Sequence, residues 1–183
     1  MPRLLAIIFE LALYAGALWL LFFLSTILHE AGHAIGYLLA TGDTHWHIRV
    51  GWGKRLLDTQ GLSVNLLPFD GFFTPLRREG IDSKAKLVMT LSGGPIASAV
   101  AVVGLLLVKC GGMSIHSEVI ASSAVESLVD SALFVNLSIL LLSAIPMHYF
   151  FGEIKGLESD GLQIAKALRG DQEKGRGTDK LEP

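Results

Sequence analysis

The sequence predicts a membrane-embedded all-α core with three transmembrane helices and a small β-hairpin or sheet insert between the first and second spans. Three observations carry this expectation. Hydrophobic residues make up 51% of the 183-residue chain and charged residues only 17%, against about 25% charged in a soluble globular domain. The apolar residues are gathered into three long stretches, each near or above the roughly 20 residues that cross a hydrocarbon core as a helix. The segment between the first two stretches is polar, carries Gly and Pro, and alternates apolar with polar residues. A chain of this length makes one domain, here residues 1–169.

The first span covers about residues 4–28, interrupted by Glu10 near the outer interface, and its helical pattern continues through HEAGHAIGYLLA to residue 40. It is too long for a cleaved signal sequence, and no small-residue cleavage site closes it. Residues 41–86 form the insert. In HWHIRVGW, His45, His47 and Arg49 alternate with Trp46, Ile48 and Val50; in LSVNLLP, Leu62, Val64 and Leu66 alternate with Ser63, Asn65 and Leu67. That period of two predicts two short strands. The second and third spans follow at about 87–108 and 128–151, and the tail GDQEKGRGTDKLEP, residues 170–183, has too few apolar residues to order itself.

Charge orients the chain and removes some classes of function. Seven Lys and Arg lie in residues 41–86 and six follow the third span, while only Lys109 lies between the second and third spans and only Arg3 at the N-terminus. By the positive-inside rule the N-terminus is outside and the C-terminus cytoplasmic, in a multi-pass protein of a bacterial cytoplasmic membrane. The net charge of −2 provides no basic field for nucleic acid. With Cys110 as the single cysteine, an intrachain disulfide and an all-cysteine metal cage are both excluded.

Any metal must therefore be held by His, Asp or Glu. His29-Glu30-Ala31-Gly32-His33 is an H-E-x-x-H pattern, whose i, i+4 spacing puts both imidazoles on one helix face, where they can chelate one zinc ion. Glu30, about 100° around the helix, stands beside that ion as general base for metal-assisted peptide hydrolysis. The bland alternative is a pair of hydrogen-bonded histidines at a helix end, but an ionisable triplet within an apolar helix is costly enough to point to function. A catalytic zinc takes three protein ligands, and Asp160, Glu153 and Glu158 follow the third span. Gly161 allows a tight turn after Asp160, although Ser159-Asp160-Gly161 taken alone reads as a helix cap. Gly93, Gly94 and Pro95 read as close helix packing, and His45, His47, His116 and His148 as polar residues rather than ligands.

These pieces together resemble the site-2 protease family of intramembrane zinc metalloproteases, in a short form without PDZ or CBS domains. The resemblance runs from about residue 18 to residue 168: HEAGH on the first span, the β-like stretch GDTHWHIRVGWGKRLLDTQGLSVNLLPFDGFF, LSGGPIAS opening the second span, and a Pro followed by a DG after the third. It implies that Asp160 is the third ligand of one zinc ion per chain. Where the family has Asn-x-x-Pro closely followed by Leu-Asp-Gly, this chain has Ser143-Ala144-Ile145-Pro146, and MHYFFGEIKGLES separates Pro146 from Asp160. Ser143, or Asn136 two turns earlier on the same face, is the candidate for the family's substrate-contacting Asn.

The expected function is cleavage within or near the membrane segments of single-span proteins or signal-peptide remnants. An unwound substrate needs new backbone partners in lipid, which Ser63, Val64 and Asn65 would supply by accepting it as an added strand. Selectivity would rest on the membrane core, a regulatory membrane partner or a homo-oligomer. The alternative is an inactive zinc-binding membrane protein that holds a partner helix, and the presence of Glu30, dispensable for holding metal, argues against it. A third reading, an ion-conducting subunit, has few spans to work with.

Overall fold

The computed structural model describes residues 2–112, 123–150 and 154–170. Four helices and a two-stranded antiparallel sheet make up the described residues: α1 (Pro2–Thr41), β1 (Trp46–Asp58), β2 (Leu62–Pro75), a short 3₁₀ turn (Arg78–Gly80), α2 (Lys84–Gly112), α3 (Ser123–Ala144) and α4 (Asp160–Arg169). The tail, His116 with most of the loop between α2 and α3, and Glu153 lie outside the described residues.

Three of the helices are long and apolar enough to cross a membrane. At about 1.5 Å per residue, α1 is about 60 Å long, twice the hydrocarbon thickness of about 30 Å. The second span is about a turn longer at each end than the sequence reading. The third begins and ends earlier than expected, stopping at Ala144 rather than near residue 151. Pro146 explains the stop: its ring disfavours helical geometry in the residue before it and removes a donor.

The bundle is apolar outside and polar inside. Leu5, Phe9, Leu13, Val100, Leu107 and Phe134 are exposed, whereas Ser25, Thr26, His29, Glu30, Thr90, Ser98, Asn136 and Ser143 are buried. Helices α1 and α2 meet through small residues. A Cβ on Gly32 would lie 2.7 Å from the Ala97 Cβ, and one on Gly36 would lie 2.6 Å from the Met89 carbonyl oxygen. Gly32 and Gly36 thus form a G-x-x-x-G face that lets the two backbones approach.

The sheet is larger than the two short runs read from the sequence, with strands of 13 and 14 residues. Each strand is bent, β1 at Gly51 and Gly53, which have φ of 76° and 84°. Residues 46–50 consequently pair with 71–75 on one edge and with 62–64 on the other, and 63–65 pair in turn with 55–58. Phe23 and Ala34 of α1 pack with Ile48 and Val50 in one apolar cluster. Along the same helix the Trp19 Nε1–H donates to the Leu66 carbonyl at 2.8 Å, and the Thr26 hydroxyl to the Pro68 carbonyl at 3.3 Å. The sheet is therefore held against the C-terminal half of α1, which carries the histidines.

Candidate metal centre

Helix α1 presents His29 and His33 on one face, with ring centroids 4.9 Å apart and planes at 85°. Each ring is fixed through its Nδ1 by a residue of α2. The His33 Nδ1–H donates to the Thr90 carbonyl at 2.9 Å, and the His29 Nδ1 lies 2.9 Å from the Ser98 hydroxyl. The Gly94 N–H lies 3.4 Å from the His33 Nδ1, but that nitrogen cannot both donate and accept, and the shorter contact decides. With Nδ1 protonated, each Nε2 keeps its lone pair for a metal, the arrangement that outer hydrogen bonds to metal-binding histidines enforce.

The third group comes from the start of α4. The Asp160 Oδ2 lies 3.3 Å from both the His29 and the His33 Nε2, and the three groups can offer ligand atoms that all lie within 4.8 Å of one another. Donors about 2.1 Å from a tetrahedral zinc ion sit about 3.4 Å apart, which the two distances from Asp160 match. Gly94 keeps the space open, since a Cβ there would fall 2.7 Å from the His29 Nε2 and closer still to the His33 Nε2. Two imidazoles and one carboxylate leave a fourth position for water or substrate.

Ser159, not Asp160, caps α4. Its hydroxyl donates to the Ile145 carbonyl at 2.7 Å and accepts from the Met147 and Leu162 N–H groups at 3.1 and 3.2 Å. The Asp160 carboxylate is thereby left for the histidines. The tight turn expected at Gly161 is corrected: among the described residues, positive φ occurs only at Gly42, Gly51, Gly53, Gly156 and Gly170. Gly161 lies within the helix, where a Cβ would collide with the Ala144 carbonyl. It lets α4 dock against the end of α3.

Glu30 is buried beside the triad, and its side chain lies against Gly71 of β2, where a Cβ would fall 2.7 Å from the Glu30 Cγ. A cavity of about 750 Å³ joins these groups, lined among others by Asp70, Phe72, Ser143 and Tyr149. Burial, followed by the Asp160 and Glu30 carboxylates, pushes the Tyr149 phenol up. Glu158 stands apart from the triad in an ion pair with Lys166 at 2.7 Å.

The other candidates separate. Ser143 is buried at the cavity wall, its hydroxyl donating to the Leu140 carbonyl at 3.2 Å. Asn136 instead joins α3 to α1, its Nδ2 donating to the Ser25 hydroxyl at 2.9 Å and to the Ala132 carbonyl at 2.8 Å. It does not line the cavity. The expected substrate edge at Ser63, Val64 and Asn65 is corrected. Ser63 and Val64 are paired by β1 on both sides, the Ser63 hydroxyl donates to Asp58 at 2.8 Å, and the Asn65 amide donates to the Gly51 carbonyl at 2.7 Å. An interior strand has no edge to offer.

Thr90 and Ser98 were not singled out by sequence reasoning, and Gly94 was read there only as helix packing. Their i, i+4, i+8 spacing along one face of α2 is the signal that could have found them. Comparison with protein-family models, with curated proteins and with solved structures finds no match.

Proposed function

We propose that the chain is an intramembrane zinc endopeptidase of the site-2 protease kind, with its N-terminus outside and its C-terminus in the cytoplasm of a bacterial cell. The observation that carries this reading is the convergence of His29, His33 and Asp160, with Glu30 buried beside them, among helices apolar enough to span a bilayer. The two imidazoles and the Asp160 carboxylate hold the metal. Bound zinc supplies Lewis acidity, polarising the scissile carbonyl and acidifying water.

Glu30 takes a proton from the attacking water as the water oxygen bonds to the carbonyl carbon. It returns that proton to the amide nitrogen as the C–N bond breaks. The remaining proton of the water leaves the new carboxyl group for the amine, giving a carboxylate and an ammonium end.

The substrate is a single-span membrane protein or a signal-peptide remnant, unwound locally so that its carbonyls are accessible. Its docking strand is the second half of β2. The Leu76 N–H donates to the His45 carbonyl at 2.9 Å, and antiparallel pairs alternate between bonded and non-bonded. The amides of Gly71 and Phe73 therefore point away from β1, on the edge beside Glu30, where an extended chain can add.

Metal analysis of the purified protein, combined with cleavage of co-expressed single-span candidates, tests the reading. Wild type is expected to carry one zinc and cleave, and Glu30→Gln to carry zinc without cleaving. A zinc-loaded wild type that cuts none of the candidates favours an inactive partner-holding protein, and a wild type without zinc removes the metal centre itself.

A further inference from the structure

The chain has three tyrosines, and two of their hydroxyls are committed. Tyr37 donates to Asp43 at 2.9 Å and to the Arg77 carbonyl at 2.7 Å. Tyr14 is 3.3 Å from the Ser131 hydroxyl. Tyr149 differs: it lines the cavity of the metal centre, and among the described residues no group hydrogen-bonds its hydroxyl. The same cavity is lined by Asp160 and Glu30. These are a ligand of the triad and the base beside it.

The backbone of Tyr149 is hydrogen-bonded through both its N–H and its carbonyl. Its N–H donates to the Leu157 carbonyl at 2.9 Å, and its carbonyl accepts from the Gly156 N–H at 2.8 Å. The same ribbon is closed by the Ser159 N–H donating to the Met147 carbonyl at 2.9 Å, one residue before Asp160. The backbone that carries Tyr149 is thus tied to the helix cap that carries Asp160. A phenol with an ordinary pKa of about 10 is a donor at neutral pH, and a preorganised donor in a water-poor site stabilises charge that develops on an acyl oxygen.

We propose that Tyr149 is a catalytic residue whose phenol O–H donates to the scissile carbonyl oxygen as that oxygen becomes negative. This deepens the endopeptidase reading and rests on it. The role also suits a chain with Ser143 where the family has Asn, since the Ser143 hydroxyl is already engaged with the Leu140 carbonyl.

The test uses two probes on zinc-loaded, detergent-solubilised protein, with wild type and Tyr149→Phe side by side. A phosphinic dipeptide presents a tetrahedral anion like that of the reaction, and a mercaptoacetyl-leucine binds metal through sulfur without one. Tyr149→Phe is expected to bind the phosphinic probe more weakly by about 100-fold or more, the scale of one lost oxyanion donor. Its zinc content and thiol-probe affinity should be unchanged, and on a cleaved single-span substrate kcat should fall with KM held. Equal phosphinic affinity in the two proteins overturns the role of Tyr149 and leaves the endopeptidase reading intact. Parallel loss of zinc and of both probes assigns Tyr149 to the fold and also overturns the proposal. A zinc-loaded wild type that binds the thiol but not the phosphinic probe, and cleaves nothing, removes the endopeptidase reading and this role together.

Discussion

Gly94 illustrates how much of the candidate centre depends on an absent side chain. Alanine is favoured over glycine in a helix by about 1 kcal/mol, so Gly94→Ala should leave α2 at least as stable. Its Cβ would clash with both Nε2 atoms and force the rings aside, so zinc stoichiometry should fall well below one while the helical content read by circular dichroism is kept. Full zinc loading of this variant would place the metal elsewhere. Asp160→Asn separates ligand from cap in a complementary way. Ser159 already caps α4, so the amide should leave the helix intact, deplete zinc and abolish cleavage; a variant that retains zinc and cuts normally would show that the third ligand is another group.

The junctions between elements carry their own consequences. Ser159 is fully buried, and its one hydroxyl ties together the end of α3, the ribbon after it and the start of α4. Loss of a cap costs about 0.5–2 kcal/mol, so Ser159→Ala should lower the stability of the purified protein by at least that much and weaken zinc retention with it, as read by a denaturation curve and a chelator titration. At the join of α1 to β1, the side-chain hydrogen bond from His45, with smaller contributions from its backbone and from Tyr37, holds the Asp43 carboxyl down at about 2 against burial. A carboxyl with a depressed pKa stabilises the fold above its unfolded value of about 3.9 and loses that contribution as pH falls toward the folded value. Proteolysis of residues 41–46 should therefore accelerate between about pH 4 and pH 2, and Asp43→Asn should flatten that dependence. For the sheet, a photo-crosslinking residue at Phe72 should capture a bound substrate, whereas one at Leu57, on the far run, should not; the reverse pattern would return the docking edge to the first half of the hairpin.

At the scale of the molecule, the described helices expose apolar residues around a largely polar interior, an arrangement suited to hydrocarbon on the outside. The lopsided distribution of Lys and Arg sets the proposed orientation. In a Cys110→Ser background, Gly80→Cys should react with an impermeant thiol reagent only after the inner face is opened, and Gly111→Cys should react in intact cells. Labelling of Gly80→Cys from outside would invert the topology.

Legibility in the sequence followed the range of the interactions. Spans could be read because hydropathy is summed within one segment, and His29, Glu30 and His33 because helical spacing alone gathers them on neighbouring faces. The end of α3 was written in Pro146 but masked by apolar residues running on to residue 151. Asp160 had two local readings, cap or ligand, that no local rule could separate; only the docking of α4 on α2 and α3, with Ser159 as cap, turns its carboxylate toward the histidines. The same holds for the sheet. Alternation in residues 62–67 indicated a strand but not its neighbours, and the bends at Gly51 and Gly53 place that run in the interior and 71–75 at the edge beside Glu30. Sequence by itself determined that His29, Glu30 and His33 share neighbouring faces of one helix and which segments are long and apolar enough for a membrane, because both are properties of single elements. Tertiary structure decided which carboxylate meets the imidazoles, which tyrosine faces the cavity and which strand edge lies open, because those depend on packing between residues as far apart as His29 and Asp160.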